Sequence, residues 1–191
     1  PTLPLKTYNF SYGSYLLSTF ATKNVAVLGS TGSIGTSALE VIDRSNGQLR
    51  TIALSAHAKL DRLVAQARRV NPRWVIATDR AAARNYDWTG LPPETKLLGG
   101  DVGLRQVVQC PDVDIVLAGI VGSAGLRSTW NALEARKTVA LANKETLVMG
   151  GQLIVQLAEE YNARILPVDS EHCAIFQALR AGRVQEVERI I

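Results

Sequence analysis

The sequence predicts an α/β fold, a doubly wound and mostly parallel sheet with helices on both faces, and three observations carry that expectation. Short apolar runs without polar alternation, as expected of strands buried on both sides, recur along the chain. Stretches with apolar residues at helical spacing separate them. The first run, Val25 to Leu28, passes directly into the spaced glycines Gly29, Gly32 and Gly35 and then into a helix, the arrangement of a Rossmann-like half-fold.

The opening unit is KNVAVLGSTGSIG, residues 23–35. Gly29 suits a sharp turn closed to other residues, Gly32 lets a pyrophosphate approach the main chain, and Gly35 lets the helix lie close to the strand. Thr31, Gly32, Ser33 and Ile34 are the candidate phosphate contacts, since the first turn of a helix presents unpaired N–H groups to an anion. The spacing is G-x-x-G-x-x-G rather than G-x-G-x-x-G, so a merely tight structural turn is the alternative. Ile34, Ala38, Leu39 and Ile42 predict a helix to Asp43, with Gly47 at its exit.

Arg50–Ala56 reads as the second strand, Lys59–Val70 as a helix with Leu60, Leu63, Val64 and Ala67 on one face, and Arg73–Ala77 as the third strand after Asn71-Pro72. An NAD site commonly places an acid after the second strand to hold the ribose 2′-hydroxyl. Here the segment is His57-Ala58-Lys59, with no acid before Asp61. That favours NADP, with Lys59 or Arg62 attracting a 2′-phosphate. A solvated loop is the competing account of His57 and Lys59.

A short helix, a Pro92-Pro93 turn and a short strand at Thr95–Leu98 are expected next, then a helix at Asp101–Val108 and a strand at Val113–Ala118. Gly119–Gly125, GIVGSAG, is a second glycine-rich crossing, expected near the first where strand order reverses. A helix at Leu126–Ala135 and a strand at Thr138–Leu141 follow, and then a long helix with Leu147, Leu153, Ile154, Leu157 and Ala158 turned inward.

Two polar segments sit at strand ends, where open α/β sheets bind ligands. Asn143 suits a nicotinamide or ribose contact and Lys144 a substrate phosphate or oxygen, although Asn143 as helix cap with Glu145 in the first turn explains the same residues. The second segment follows a strand over 165–168. Asp169 and Glu171, two apart in extended chain, would converge on one point beside Ser170. Such oxygen donors suit Mg²⁺ or Mn²⁺, and two ligands leave the site open to substrate, water or further residues. Helix capping by Asp169 or Ser170 is the alternative. His172 and Cys173 have no partner pair at ligand spacing for zinc, and a helix is expected from about Cys173 to Gly182.

Composition sets bounds. Of 191 residues, 47% are hydrophobic and 20% charged, enough for a core. The net charge of +4 is dispersed, which argues against a nucleic-acid groove and for a small anionic ligand at most. Cys110 and Cys173 are far apart, consistent with a reducing compartment, and no apolar run reaches the ~18 residues of a membrane span. Residues 1–22 carry Lys6 as their only charge and read as a poorly ordered extension.

GSTGSIG at 29–35, AGIVGSAGL at 118–126, LANKETLV at 141–148 and LPVDSEHCAIFQAL at 166–179 resemble the 1-deoxy-D-xylulose 5-phosphate reductoisomerase family, over residues 23–191. The resemblance implies an NADPH- and divalent-metal-dependent oxidoreductase of non-mevalonate isoprenoid biosynthesis. Its reaction turns 1-deoxy-D-xylulose 5-phosphate into 2-C-methyl-D-erythritol 4-phosphate. By position, it implies Thr31, Gly32, Ser33, Ile34, Asn143 and Glu145 as NADPH contacts and Asp169 and Glu171 as metal ligands. Lys144, Ser170 and Glu171 become substrate contacts, with Lys144 and Glu171 the catalytic pair. Where the family has Gly-Lys-Asn this chain has His57-Ala58-Lys59, so Lys59 is the substitute candidate for the 2′-phosphate.

The resemblance further divides the chain into an NADPH-binding domain at 23–168 and the beginning of a catalytic domain at 169–191, with another strand starting at the last residues. An N-terminal fragment that binds NADPH with little turnover is the expectation. For the full-length protein it implies a sugar-phosphate substrate, a homodimer, no nucleic-acid or membrane partner, and a cytoplasmic location, or the plastid stroma for a plant or algal chain. Another NADP-dependent oxidoreductase and a non-enzymatic NADP-binding regulator are the rival readings.

Overall fold

The computed structural model describes residues 21–183 together with 186, 187 and 189. The extension expected at residues 1–22 lies outside them except for Ala21 and Thr22, whose hydroxyl donates to the Gly47 carbonyl at 2.8 Å. The strand expected at the very end also lies outside the described residues.

Seven parallel strands alternate with helices: β1 Lys23–Leu28, α1 Ser33–Asp43, β2 Leu49–Ala56, α2 Leu60–Val70, β3 Trp74–Ala77, α3 Arg80–Arg84, β4 Lys96–Gly99, α4 Gly100–Gln109, β5 Ile115–Ala118, α5 Leu126–Glu134, β6 Thr138–Leu141, α6 Lys144–Glu160, β7 Arg164–Pro167 and α7 Ser170–Ala181. The sheet order is β4-β3-β2-β1-β5-β6-β7. The chain therefore builds outward from β1 to one edge, returns to lay β5 against the other side of β1, and builds outward again. Loops leaving β1 and β5 diverge to opposite faces, and their divergence opens a crevice at the carboxyl ends of the strands. No helix among the described residues is long and apolar enough to cross a membrane.

The continuous apolar runs are explained by a core on each face. Ala26, Leu28 and Val116 pack with Val107, Leu133 and Ile154 on one side, whereas Val25, Val27 and Leu54 pack with Leu39, Leu63 and Ala67 on the other. Burying both faces removes the polar alternation that a half-exposed strand would show.

Several boundaries differ from expectation. β5 starts at Ile115 rather than Val113, and Asp114 just before it accepts at its carboxylate from the Asn24 N–H of the first strand. α6 is interrupted at Gly150 (φ −145°, ψ 24°), and Leu153, expected inside, is 58% exposed. α7 begins at Ser170, three residues before the expected Cys173. Asp169 caps it by accepting from the His172 N–H at 3.0 Å, so Ser170 and Glu171 are helical. The alternation argued for Asp169 and Glu171 from extended chain therefore does not apply. The helix-start account of Asn143 and Glu145 holds for structure: Asn143 is the N-cap of α6 and Glu145 lies in its first turn.

Asp114 ties the central strands together at the opposite, amino-terminal edge. Its carboxylate accepts from the Asn24 N–H at 2.8 Å and from Lys23 Nζ at 3.0 Å. Partial burial pushes its pKa up, but the Asn24 N–H and the Lys23 and Lys137 charges outweigh this and hold it below the usual value. A carboxylate held low stabilises the fold above its unfolded pKa of about 3.9, and that contribution disappears as pH falls through the lower folded value. Asp114→Asn is accordingly expected to be less stable than the parent at pH 7. In urea denaturation the difference should close progressively below about pH 4.

Candidate active site

The glycine turn after β1 is shaped by two close approaches. Gly29 has φ +78°, and a Cβ there would lie 2.6 Å from the Gly119 carbonyl oxygen. A Cβ on Gly35 would lie 2.4 Å from the Gly29 carbonyl oxygen and 2.5 Å from Ser30 Cα. α1 thus starts hard against the strand end. Gly32 is its N-cap, with no side chain hydrogen-bonded to the first turn, so the helix opens into the crevice with its amides available to an anion.

Two adjoining cavities fill the crevice. The first, about 290 Å³, is lined by Gly29, Thr31 and Gly32, by Ser55 to Lys59, by Thr78 and by Gly119 to Val121. Lys59 sits at the N-cap of α2, facing the same space as the glycine turn. His57 Nδ1 lies 3.1 Å from the Thr78 hydroxyl, so this loop is tied to the end of β3. The second cavity, about 390 Å³, is lined by Gly32, Ser33 and Ile34, by Asn143, Lys144 and Glu145, and by Asp169, Ser170 and Glu171. Gly32, Gly119, Ile120 and Val121 border both. The phosphate turn and the paired carboxylates, 138 positions apart between Thr31 and Asp169, therefore open onto one crevice.

The polar groups of the second cavity differ in how they are engaged. Asn143 is 3% exposed; its amide donates to the Ile120 and Gly122 carbonyls at 2.6 and 2.9 Å, and its oxygen accepts from the Thr146 N–H at 3.3 Å. Both amide hydrogens are thereby committed to the second glycine-rich loop, so the side chain shapes the crevice wall. Lys144 and Glu145 are exposed at the start of α6. Ser170 donates to Glu171 at 2.7 Å. That bond, the Glu171 N–H and the Lys144 charge keep Glu171 below the ordinary carboxylate range, against the opposing charge of Asp169. Burial raises the Asp169 pKa, but the His172 N–H and ring, with Nδ1 at 2.7 Å, bring it below its usual value. Both carboxylates are anionic at neutral pH.

Among the described residues no group of three His, Cys, Asp or Glu side chains is arranged to hold a metal. Asp169 and Glu171 supply hard oxygen donors of the right kind for Mg²⁺ or Mn²⁺, and fewer than a closed site requires.

A buried polar trio behind the phosphate turn has no counterpart in the sequence reading. Ser30 and Ser55 are fully buried and Gln66 is 9% exposed. Gln66 lies three residues after Leu63, on the inward stripe of α2. A polar residue at that phase was the available signal.

The family model for 1-deoxy-D-xylulose 5-phosphate reductoisomerase matches residues 25–151. The chain belongs to that family.

A 1-deoxy-D-xylulose 5-phosphate reductoisomerase from Bacteroides fragilis is 46% identical over 171 residues, 88% of this chain and 44% of that protein. A crystal structure of DOX-P reductoisomerase in complex with NADPH, fosmidomycin and magnesium is 40% identical with a TM-score of 0.75, covering 83% of this chain and 40% of the other. The reductoisomerase from Zymomonas mobilis in complex with NADPH is 37% identical with a TM-score of 0.74, over 82% and 41% respectively. The chain thus spans less than half the length of the reductoisomerases it matches.

Proposed function

We propose that this chain provides the NADPH-binding crevice and part of the metal and substrate site of a 1-deoxy-D-xylulose 5-phosphate reductoisomerase. In that reading the complete protein converts 1-deoxy-D-xylulose 5-phosphate to 2-C-methyl-D-erythritol 4-phosphate with NADPH and a divalent cation. The observation that carries it is the shared border of the two cavities at Gly32, Gly119, Ile120 and Val121. A dinucleotide lying across that border would have its adenosine end near Lys59 and its nicotinamide end beside Lys144 and the carboxylates.

The uncapped start of α1 fits a pyrophosphate. Thr31, Gly32, Ser33 and Ile34 bind it, Lys59 pairs with the 2′-phosphate, and Asn143 holds the Gly119–Gly125 loop that walls the nicotinamide. Glu145 contributes from the first turn of α6. Asp169 and Glu171 would hold the cation, with further ligands from outside the described residues. When bound, the cation polarises a ketone oxygen and NADPH supplies hydride. Lys144 orients an anionic oxygen of the substrate, Ser170 positions both Glu171 and a substrate hydroxyl, and ionised Glu171 is available to accept a proton. The same reading extends to a homodimeric complete protein in the cytoplasm or, for a plant or algal source, the plastid stroma.

The discriminating measurement is a fluorescence titration of the chain with NADPH and NADH. NADPH should bind more tightly. Lys59→Ala should weaken NADPH by roughly tenfold or more, the loss expected of one charge-assisted contact, while NADH changes little. Absence of NADPH binding by the unaltered chain would refute the reading.

A further inference from the structure

Gln66 occupies a position where the fold asks for an apolar side chain. It faces inward between Leu63 and Ala67 on α2, and burying an amide there is unfavourable unless its donors and acceptor are used. One donor and the acceptor are used, both on one residue of the phosphate turn. Gln66 Nε2 donates to the Ser30 carbonyl at 2.8 Å, and the Ser30 hydroxyl donates to Gln66 Oε1 at 2.8 Å. Because a carbonyl can only accept, the amide orientation is fixed by the first of these bonds. Ser55 completes the arrangement from the end of β2: its hydroxyl accepts from the Gly29 N–H at 3.0 Å, and its carbonyl accepts from the Ser30 N–H at 2.9 Å. Every polar atom of Ser30 is engaged from behind, which leaves the following residues, Thr31 to Ile34, to face the crevice.

We propose that Gln66 is a positioning residue, which locks the phosphate turn into its anion-binding shape before ligand arrives. The proposal rests on the NADPH reading above. α2 then serves the crevice twice, presenting Lys59 at its N-cap and gripping the turn with Gln66 two helical turns later. Arg62 adds a third tie, donating from Nη2 to the Thr36 hydroxyl of α1 at 3.3 Å. A turn held this way loses little conformational freedom on binding pyrophosphate, and a turn released from it must be ordered by the ligand.

The test compares two ligands that share the 2′-phosphoadenosine end and differ in the pyrophosphate. NADPH and 2′-AMP are titrated by calorimetry into the parent chain, Gln66→Met and Gln66→Leu. Gln66→Met keeps the volume and leaves the Ser30 carbonyl without its donor. It should weaken NADPH by roughly tenfold or more and 2′-AMP by less than about twofold, because only NADPH depends on the turn. Gln66→Leu removes the donor without adding a titratable group, so it should show the same selective loss, and it carries the test if the methionine variant does not fold. Unchanged NADPH affinity in either folded variant would overturn the assignment, as would parallel weakening of both ligands, which marks a general loss of structure. A parent chain that binds neither ligand would instead defeat the nucleotide reading itself.

Discussion

Gly29→Ala is expected to weaken NADPH binding strongly while Gly47→Ala leaves it intact, although the two glycines have almost the same backbone angle. Their φ values are +78° and +80°. An L-residue in that region costs about 1–2 kcal/mol, and both variants incur it. The difference lies in what a methyl group would meet. At Gly47 nothing stands within 4 Å of the added carbon. At Gly29 the carbon would sit 2.6 Å from the Gly119 carbonyl oxygen and 2.8 Å from its carbon, and both are backbone atoms that no rotamer change can move. Relief requires β1 and β5 loops to separate at the crevice border. Overpacking of this kind costs about 1–3 kcal/mol, and the same energy taken from the bound turn would weaken NADPH by roughly tenfold to 100-fold. Thermal unfolding and an NADPH titration on the two variants separate strain from site geometry. Equal loss of affinity in both would show that the close approach of the two loops is irrelevant to binding.

The contrast also shows which features the sequence could display. Gly29 and Gly35 announced themselves because a turn that tight excludes side chains, and the apolar runs on either side announced buried strands. Strand positions were legible for the same reason, since burial on both faces leaves a continuous apolar signal. Helix boundaries at the site were less legible. Asp169 and Glu171 read as ligands in extended chain, with helix capping by Asp169 or Ser170 as the alternative, and what decides it is Asp169 accepting from the His172 N–H, a local contact that composition does not encode. Leu153 was misplaced because it borders the inward stripe of Ile154, Leu157 and Ala158, and a residue at the edge of that stripe can fall on the outer side. Asn143 was correctly placed at the crevice, yet the carbonyls of Ile120 and Gly122 that take up its amide lie more than twenty positions earlier. Such long-range pairings, like that of Ser30 with Gln66 across 36 positions, exist only once the sheet is assembled.

Asp169→Asn gives the sharpest test of the carboxylate pair because it separates charge from structure. Asp169 has a structural task, capping α7 through its Oδ1, and asparagine performs that task about as well. The variant should therefore fold, and it should keep most of its NADPH affinity, since the cavity that takes the adenosine end contains no part of α7 and the amide matches the carboxylate in size. It loses one anionic donor from the second cavity, which Lys144 also lines. If Asp169 and Glu171 hold the divalent cation, the affinity of the complete protein for Mn²⁺, followed by electron paramagnetic resonance, should fall by at least about 100-fold, with turnover falling in step. Because Asp169 is held below the ordinary carboxylate range by His172, its ionisation cannot account for any change in metal binding between pH 6 and 8. An Asp169→Asn protein with normal metal affinity and turnover would confine Asp169 to capping and remove the metal from this end of the crevice. Loss of both properties with NADPH binding preserved would tie the cation to the helix start that the cofactor cavity adjoins.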